Sequence, residues 1–280
     1  MNRVFKASIL LLASCTAAVQ TYAQTTARPV DTTRKNKVQQ IRQPVVRKGP
    51  AGIKNELSFG ICLNTNGWSA YTDFGKVKSL DGKRKDMFYK VRLMQLEFTE
   101  KKDNSEKKIT SPLPGGSGSP KYIYGKINNF YALKFGVGSM RMIAGKPDPG
   151  AVSIHWLNVI GVSLGMEKPY YVNVATDPGT ATAGNAIKYS ETTGSAFLNR
   201  NLIQGGGGFS KGLGEMKFIP GGHIKSALHF DFSANRKNVI GAETGLNFEY
   251  YSQDISLMAN RKGTPYFLDA YVAFQFGKRW

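Results

Sequence analysis

YFLDAYVAFQFGKRW (Tyr266–Trp280) is the stretch on which the fold turns. Leu268, Ala270, Val272, Phe274 and Phe276 alternate with Asp269, Tyr271, Ala273 and Gln275. A period of two puts these sets on opposite faces of a strand. One face is apolar and ends in aromatics, while the other carries a carboxylate, a phenol and an amide. Alternation of this kind fits a strand with hydrocarbon outside and polar groups inside, and also the last strand of a soluble sandwich or lipocalin-like barrel. Working outward from this stretch separates the two.

The N-terminus reads as an export signal. Arg3 and Lys6 precede an apolar run from Ala7 to Val19, and Thr21-Tyr22-Ala23 resembles a cleavage site before Gln24. Within that run Leu12-Ala13-Ser14-Cys15 resembles the lipobox of bacterial lipoproteins, and both readings export the chain. Cleavage after Ala23 leaves Cys62 as the single cysteine, so no intrachain disulfide is expected. No later segment has the long apolar run of a membrane helix; Val152 to Met166 is interrupted by His155, Asn158 and two glycines. An exported chain of this kind either is soluble or crosses a bilayer as closed strands.

The net charge is +19. In a cytoplasmic protein it would point to nucleic acid; after export it points to outer-membrane lipid head groups or an acidic envelope partner, and no nucleic-acid role is expected. Residues 24–54 concentrate the charge, with Arg28, Arg34, Lys35, Lys37, Arg42, Arg47, Lys48 and Lys54 against Asp31 alone. Such a segment buries little apolar surface and is predicted to be a flexible basic arm.

From Glu56 the chain becomes a succession of short alternating runs between Gly, Asn and Asp clusters. ELSFGICLN places Leu57, Phe59, Ile61 and Leu63 opposite Glu56, Ser58, Gly60 and Cys62, and Thr65-Asn66-Gly67 predicts a hairpin turn. The run from Met87 to Thr99 is apolar on both faces, Met94, Leu96 and Phe98 against Tyr89, Val91 and Leu93, and a bulge is expected to reconcile them. Strands follow at NNFYALKFGVG, at Val152 to Met166, at HIKSALHFDFS, at IGAETGLNFEYYS and at the terminal stretch. With the return strand WSAYTDFGK this makes eight. The longest connections, residues 100–124 and 167–222, both fall on one side of an eight-strand meander. With the termini in the periplasm that side is the outer one, as in outer-membrane barrels. The expected fold is an all-β antiparallel transmembrane barrel over residues 55–280, with a signal peptide at 1–23 and the arm at 24–54.

YGKINNFYALKFGVG (124–138), EKPYYVNV (167–174), PGGHIKSALHFDFS (220–233) and FGKRW (276–280) resemble small outer-membrane β-barrel proteins of Bacteroidota-type bacteria. The resemblance runs from about Glu56 to the C-terminus and implies fold and outer-membrane location, with no catalytic motif.

Chemistry, if any, would use inward groups: His223, His229 and Asp231 on one strand, Glu243 and Glu249 on the next, Asp269 on the last. A histidine oriented by a carboxylate is the arrangement of a general base in a lipid-modifying barrel enzyme. The same residues with Lys134 and Lys225 would equally form a structural ion network, because an eight-strand interior is filled by side chains. The structural reading predicts no catalytic, cofactor or metal residues. His223 and His229 are too far apart along a strand to chelate one ion, His155 belongs to another strand, and Cys62 alone makes no thiolate site. QGGGGFSKG (204–212) lacks the Gly-Lys-Ser/Thr ending of a phosphate loop and reads as a surface loop. Trp68, Trp156 and Trp280 read as interfacial anchors rather than ligand platforms. The function expected is a non-enzymatic structural or interaction component of the cell envelope. The alternatives are the lipid-modifying enzyme and a soluble lipocalin-like binder tethered through Cys15.

Overall fold

The computed structural model describes residues 53–79, 89–111, 120–145, 151–176, 184–233 and 237–280. The residues read as a signal peptide, Cys15, and the predicted arm up to residue 52 lie outside the described residues. Among the described residues thirteen strands follow one another: β1 (Asn55–Asn64), β2 (Gly67–Ser79), β3 (Tyr89–Lys101), β4 (Lys108–Ile109), β5 (Tyr122–Ile123), β6 (Asn128–Ala144), β7 (Ser153–Pro169), β8 (Tyr171–Val174), β9 (Asn185–Lys188), β10 (Ile203–Gly206), β11 (Lys217–Asp231), β12 (Asn238–Ile255) and β13 (Thr264–Arg279). Eight of them close into one antiparallel barrel in the order β1-β13-β12-β11-β7-β6-β3-β2. The expected strand count and the closing role of the terminal stretch are both observed. Trp280 seals the seam: its carbonyl accepts from the amides of Lys54 and Asn55, both at 2.8 Å, and its own amide donates to the Asn55 carbonyl at 3.0 Å.

The register defines the barrel's geometry. Leu57 faces Phe74, and the ladder continues through Met94, Val137, Ile160, Ile224, Phe248 and Leu268. Leu57's own partner on β13 is Lys278, ten residues beyond Leu268. A shear of ten over eight strands tilts them by ~40° to the axis. All eight residues of that circuit are apolar, and all eight point outward and are exposed. Inward positions carry the opposite chemistry: Glu97, Lys101, Lys134, Lys225, Glu243, Glu249 and Asp269 are all buried. The barrel is therefore inside-out relative to a water-soluble protein, with charge at its centre and an apolar belt around it.

Two expectations need correction. First, β3 has no bulge, since its ladders to β2 and β6 run without a register shift. Val91 and Leu93 do point inward, where they pack with Cys62, Tyr71, Met140, Leu157 and Val159. The interior has an apolar layer at this level, so a strand apolar on both faces needs no change of facing. Second, the later excursion is shorter than the polar composition suggests, while the earlier one keeps about its expected length. β3 runs to Lys101, β6 begins at Asn128, β7 runs to Pro169 and β11 begins at Lys217. Ladder hydrogen bonds are made by backbone, so polar residues such as Glu167 and Lys217, which face each other, extend the barrel past the apolar belt.

The first hairpin turns through Thr65 and Asn66, with Gly67 as the first residue of β2. Gly67 carries the positive φ, +151°, while among the described residues no non-glycine has φ above zero. A Cβ at Gly67 would sit 1.9 Å from the Glu100 carbonyl oxygen, so only glycine fits.

The two longest connections meet at one end of the barrel and are folded. β8, β9 and β10 form a three-stranded sheet, and β4 pairs with β5. Tyr122, Val172, Val174 and Ile203 pack there with Phe197 of the short helix α1 (Gly194–Phe197). Beneath this cap Phe130, Tyr251 and Phe267 close the barrel mouth, Phe130 lying edge-on to Tyr251 at 5.1 Å and stacked on Phe267 at 5.5 Å.

Candidate functional site

The barrel interior gathers every residue singled out for chemistry, and the alternation of each strand is what turns them inward. They do not form one constellation. His229 is the histidine that meets a carboxylate: its Nδ1 lies 3.3 Å from Glu243 Oε1, across the β11–β12 ladder in which the two are direct partners. Glu243 Oε2 accepts from the Tyr271 hydroxyl at 3.3 Å. Asp231, two residues along the strand, turns to the rim, where it is 3.0 Å from Arg279 Nη2 and accepts the Ser233 amide. Arg279 also binds Glu56 at 2.6 Å, so it clamps β1 and β11 to the closing strand. His223 lies three inward positions further up β11, 3.0 Å from Ser163 Oγ. Its ring packs on Gly136 and Gly161, which face each other across β6 and β7 and leave the space an imidazole needs.

Glu249 is the hub of the upper interior. Lys101 and Lys134 each approach its Oε1 at 2.9 Å, Asn247 Nδ2 donates to it at 2.6 Å, and the Tyr251 hydroxyl donates to Oε2 at 2.7 Å. Lys101 also pairs with Asp269. Lys134 bridges to Glu97 at 2.8 Å, and Glu97 reaches Lys225 at 3.3 Å. Lys225 lies between the rings of Tyr71 and Tyr271, 4.4 and 4.6 Å from their centroids. Below it Asp73 accepts from Gln95 at 2.7 Å and from Gln275 at 2.9 Å, and Gln275 reaches Ser58 at 2.6 Å.

Chemically this is a set of groups that mostly satisfy one another, although Asn247 Oδ1, Asp269 Oδ1, Gln275 Oε1 and His229 Nε2 are buried with no hydrogen-bond partner among the described residues. Charges removed from water survive when paired and hydrogen-bonded, and several of these carboxylates are paired with a cation or accept more than one donor. Lys134 and Lys225 enter the network as expected. Glu97, Lys101, Asp73 and Gln95 were missed as participants. The available signal was parity: each lies on the inward side of its strand's alternation.

His155, set aside as belonging to another strand, is the direct cross-strand partner of His229, with ring centroids 5.9 Å apart. Among the described residues no three His, Cys, Asp or Glu side chains converge as a metal site. Cys62 is buried in the apolar layer. In 204–212, β10 ends at Gly206, and the following loop lies back on β7, where Lys168 sits 4.0 Å over the Phe209 ring and donates to the Phe209 carbonyl. The tryptophans are all on the outer surface. Trp68 donates to Glu100 at 2.6 Å and joins an aromatic row with Phe98 and Tyr131, while Trp156 donates to Ser226 at 3.0 Å.

In the cap, Tyr171 donates to Glu215 at 2.6 Å and Lys188 pairs with the same carboxylate. The hydrogen bonds from Lys188 and then Tyr171 hold the Glu215 carboxyl below its ordinary range, and the bond to Glu215 raises the Lys188 ammonium above its own.

No protein-family model and no curated protein matches the chain. Two solved structures are similar in outline. One is the crystal structure of Neisserial surface protein A (NspA), with a TM-score of 0.37 and 6% identity, covering 83% of this chain and 100% of that one. The other is Ail, the attachment invasion locus protein of Yersinia pestis, in complex with the heparin analogue sucrose octasulfate, with a TM-score of 0.35 and 9% identity, covering 81% of this chain and 99% of that one. At these values neither likeness bears on what this chain binds.

Proposed function

We infer that the protein is an outer-membrane β-barrel, exported by its N-terminal signal, and that it serves the envelope as a non-enzymatic structural or interaction component. The observation that carries this reading is the reversal of polarity around a closed wall. Backbone groups in hydrocarbon must be satisfied within the chain, which closure achieves, and the outward side chains must be apolar, which they are on all eight strands. A lipocalin-like binder has the reverse arrangement, an apolar cavity inside a polar wall; here Lys134, Glu249 and Lys225 occupy the centre. In this reading Trp68, Tyr131 and Tyr266 belong to the outer aromatic girdle, and the cap built on β8–β10 is the outer recognition surface. The basic arm of residues 24–54 lies in the periplasm, available to an acidic partner. The resemblance to outer-membrane barrels of Bacteroidota-type bacteria agrees with this.

A lipid-modifying enzyme built on His229 is the weaker alternative, because Glu243 and His229 are closed in by Tyr271, His155 and the barrel wall. Fractionation of cell envelopes tests the main reading. The mature protein is expected in the outer-membrane pellet and to need detergent for extraction; recovery in the aqueous fraction after disruption would end the proposal. Co-purification from the same extract, with and without residues 24–54, reports whether the arm carries a partner.

A further inference from the structure

At the end of the barrel opposite the cap, the outer wall changes from apolar to cationic. Lys278 on β13, Lys76 on β2, Arg92 on β3 and Arg141 on β6 all point outward and are exposed. Their levels follow from the register. Lys76 and Arg92 are direct partners, Arg92 faces Ser139 with Arg141 two residues further, and Lys278 faces Leu57. With the ladder climbing ~3 Å per strand at this shear, the four Cα atoms lie within about 5 Å of one level. Directly above them on their own strands are Phe276, Phe74, Met94 and, beyond Ser139, Val137. Among the described residues none of the four is in an ion pair, in contrast to Arg279 one position away, which turns inward to Glu56 and Asp231. Trp156, the partner of Arg141, stands half-exposed beside the arc.

A second feature coincides with one end of this arc. A groove of about 410 Å³ runs up the outer wall from Lys278, walled by Leu57, Phe59, Thr72, Phe276 and Trp280. It is apolar along its length and cationic at its foot.

We propose that this rim binds anionic phospholipid of the inner leaflet, with an acyl chain in the Leu57–Phe276 groove and head-group phosphates held along Lys278, Lys76, Arg92 and Arg141. The proposal rests on the membrane reading above and adds to it a lipid class and a place. Charge complementarity selects the occupant. Four unpaired cations at the hydrocarbon boundary match a layer of phosphates, and guanidinium groups suit phosphate oxygens geometrically. The groove requires that the phosphate bring a hydrocarbon chain with it.

The test uses the mature protein folded in non-ionic detergent, with phosphatidylglycerol and phosphatidylcholine supplied in equal amounts and bound lipid counted by native mass spectrometry. The wild type is expected to retain phosphatidylglycerol preferentially. Each cation near an anionic head group contributes roughly fivefold, so the variant K76Q/R92Q/R141Q/K278Q should lose more than about tenfold of that preference. A variant with the same charge change at the cap, K107Q/K108Q/K211Q/K262Q, should keep it. All eight positions are exposed, and heat-dependent gel migration confirms that each variant folds. Retention of the preference by the rim variant, or equal loss in the cap variant, would overturn the proposal. A wild type that inserts into vesicles with no head-group preference defeats this inference alone, whereas one that stays dispersed in water and takes up neither lipid defeats the membrane reading beneath it.

Discussion

Replacing Val272 with Arg separates a membrane barrel from a water-soluble one more sharply than any change inside it. Val272 is half-exposed on the outer wall, between Leu63 of β1 and Thr244 of β12. The apolar side of β13 runs from Tyr266 to Phe276, ten steps along the strand, which at ~3.4 Å per step and ~40° of tilt spans about 26 Å of height. That matches the ~25 Å apolar band of outer-membrane barrels. Val272 then lies about 10 Å above Phe276 and about 16 Å below Tyr266, near the middle of the band. An arginine there is expected to cost about 2–4 kcal/mol, whereas Phe276→Arg at the edge should cost about 0–1 kcal/mol. In water both would fall within about 0.5 kcal/mol of wild type, as exposed substitutions do. Urea titration of the barrel in vesicles, followed by gel mobility and tryptophan fluorescence, measures the difference. Equal stability of the two variants, or a Val272→Arg protein that folds in buffer without lipid or detergent, would refute the reasoning.

Inside the barrel, Lys134→Met removes one cation from between Glu97 and Glu249 and should destabilise by about 3–5 kcal/mol in the same titration. Adding Glu97→Gln should recover part of that loss, and a cost under about 1 kcal/mol for the single variant would show the network is not what holds the upper barrel. In the cap, the lowered Glu215 carboxyl contributes stability that is present above its ordinary titration range and is lost as pH falls below it. The raised Lys188 contributes below its ordinary range and loses its share only as pH rises through the raised value. The opening free energy of β8 and β9, taken from hydrogen exchange after correction for the intrinsic pH dependence of amide exchange, should therefore be flat through neutral pH and fall as the solution is acidified through and below the ordinary carboxylate range. Glu215→Gln should abolish that acid step, and parallel curves for the two proteins would contradict it.

Sequence alone determined which side faces in on the strands with a clean alternation. A period of two is a local property, and on β1, β11, β12 and β13 the assigned faces are the observed ones, Leu57 to Leu63 outward and His223 to Asp231 inward. It also showed that both long connections lie at one end, because antiparallel neighbours alternate direction regardless of register. Which inward groups meet was beyond it. Lys101 and Asp269 are 168 residues apart and Arg279 and Glu56 are 223 apart, and such pairs depend on the stagger between strands, which no single strand encodes. The same stagger brings His155 opposite His229, sets Asp231 against Arg279, and levels Lys278, Lys76, Arg92 and Arg141 along one rim. The apolar layer that receives Val91 and Leu93 is likewise a property of the closed wall, since it is assembled from residues of several strands meeting across the interior. Facing is set by chemistry along a strand, and contact by how far each strand slides past the next before the sheet closes.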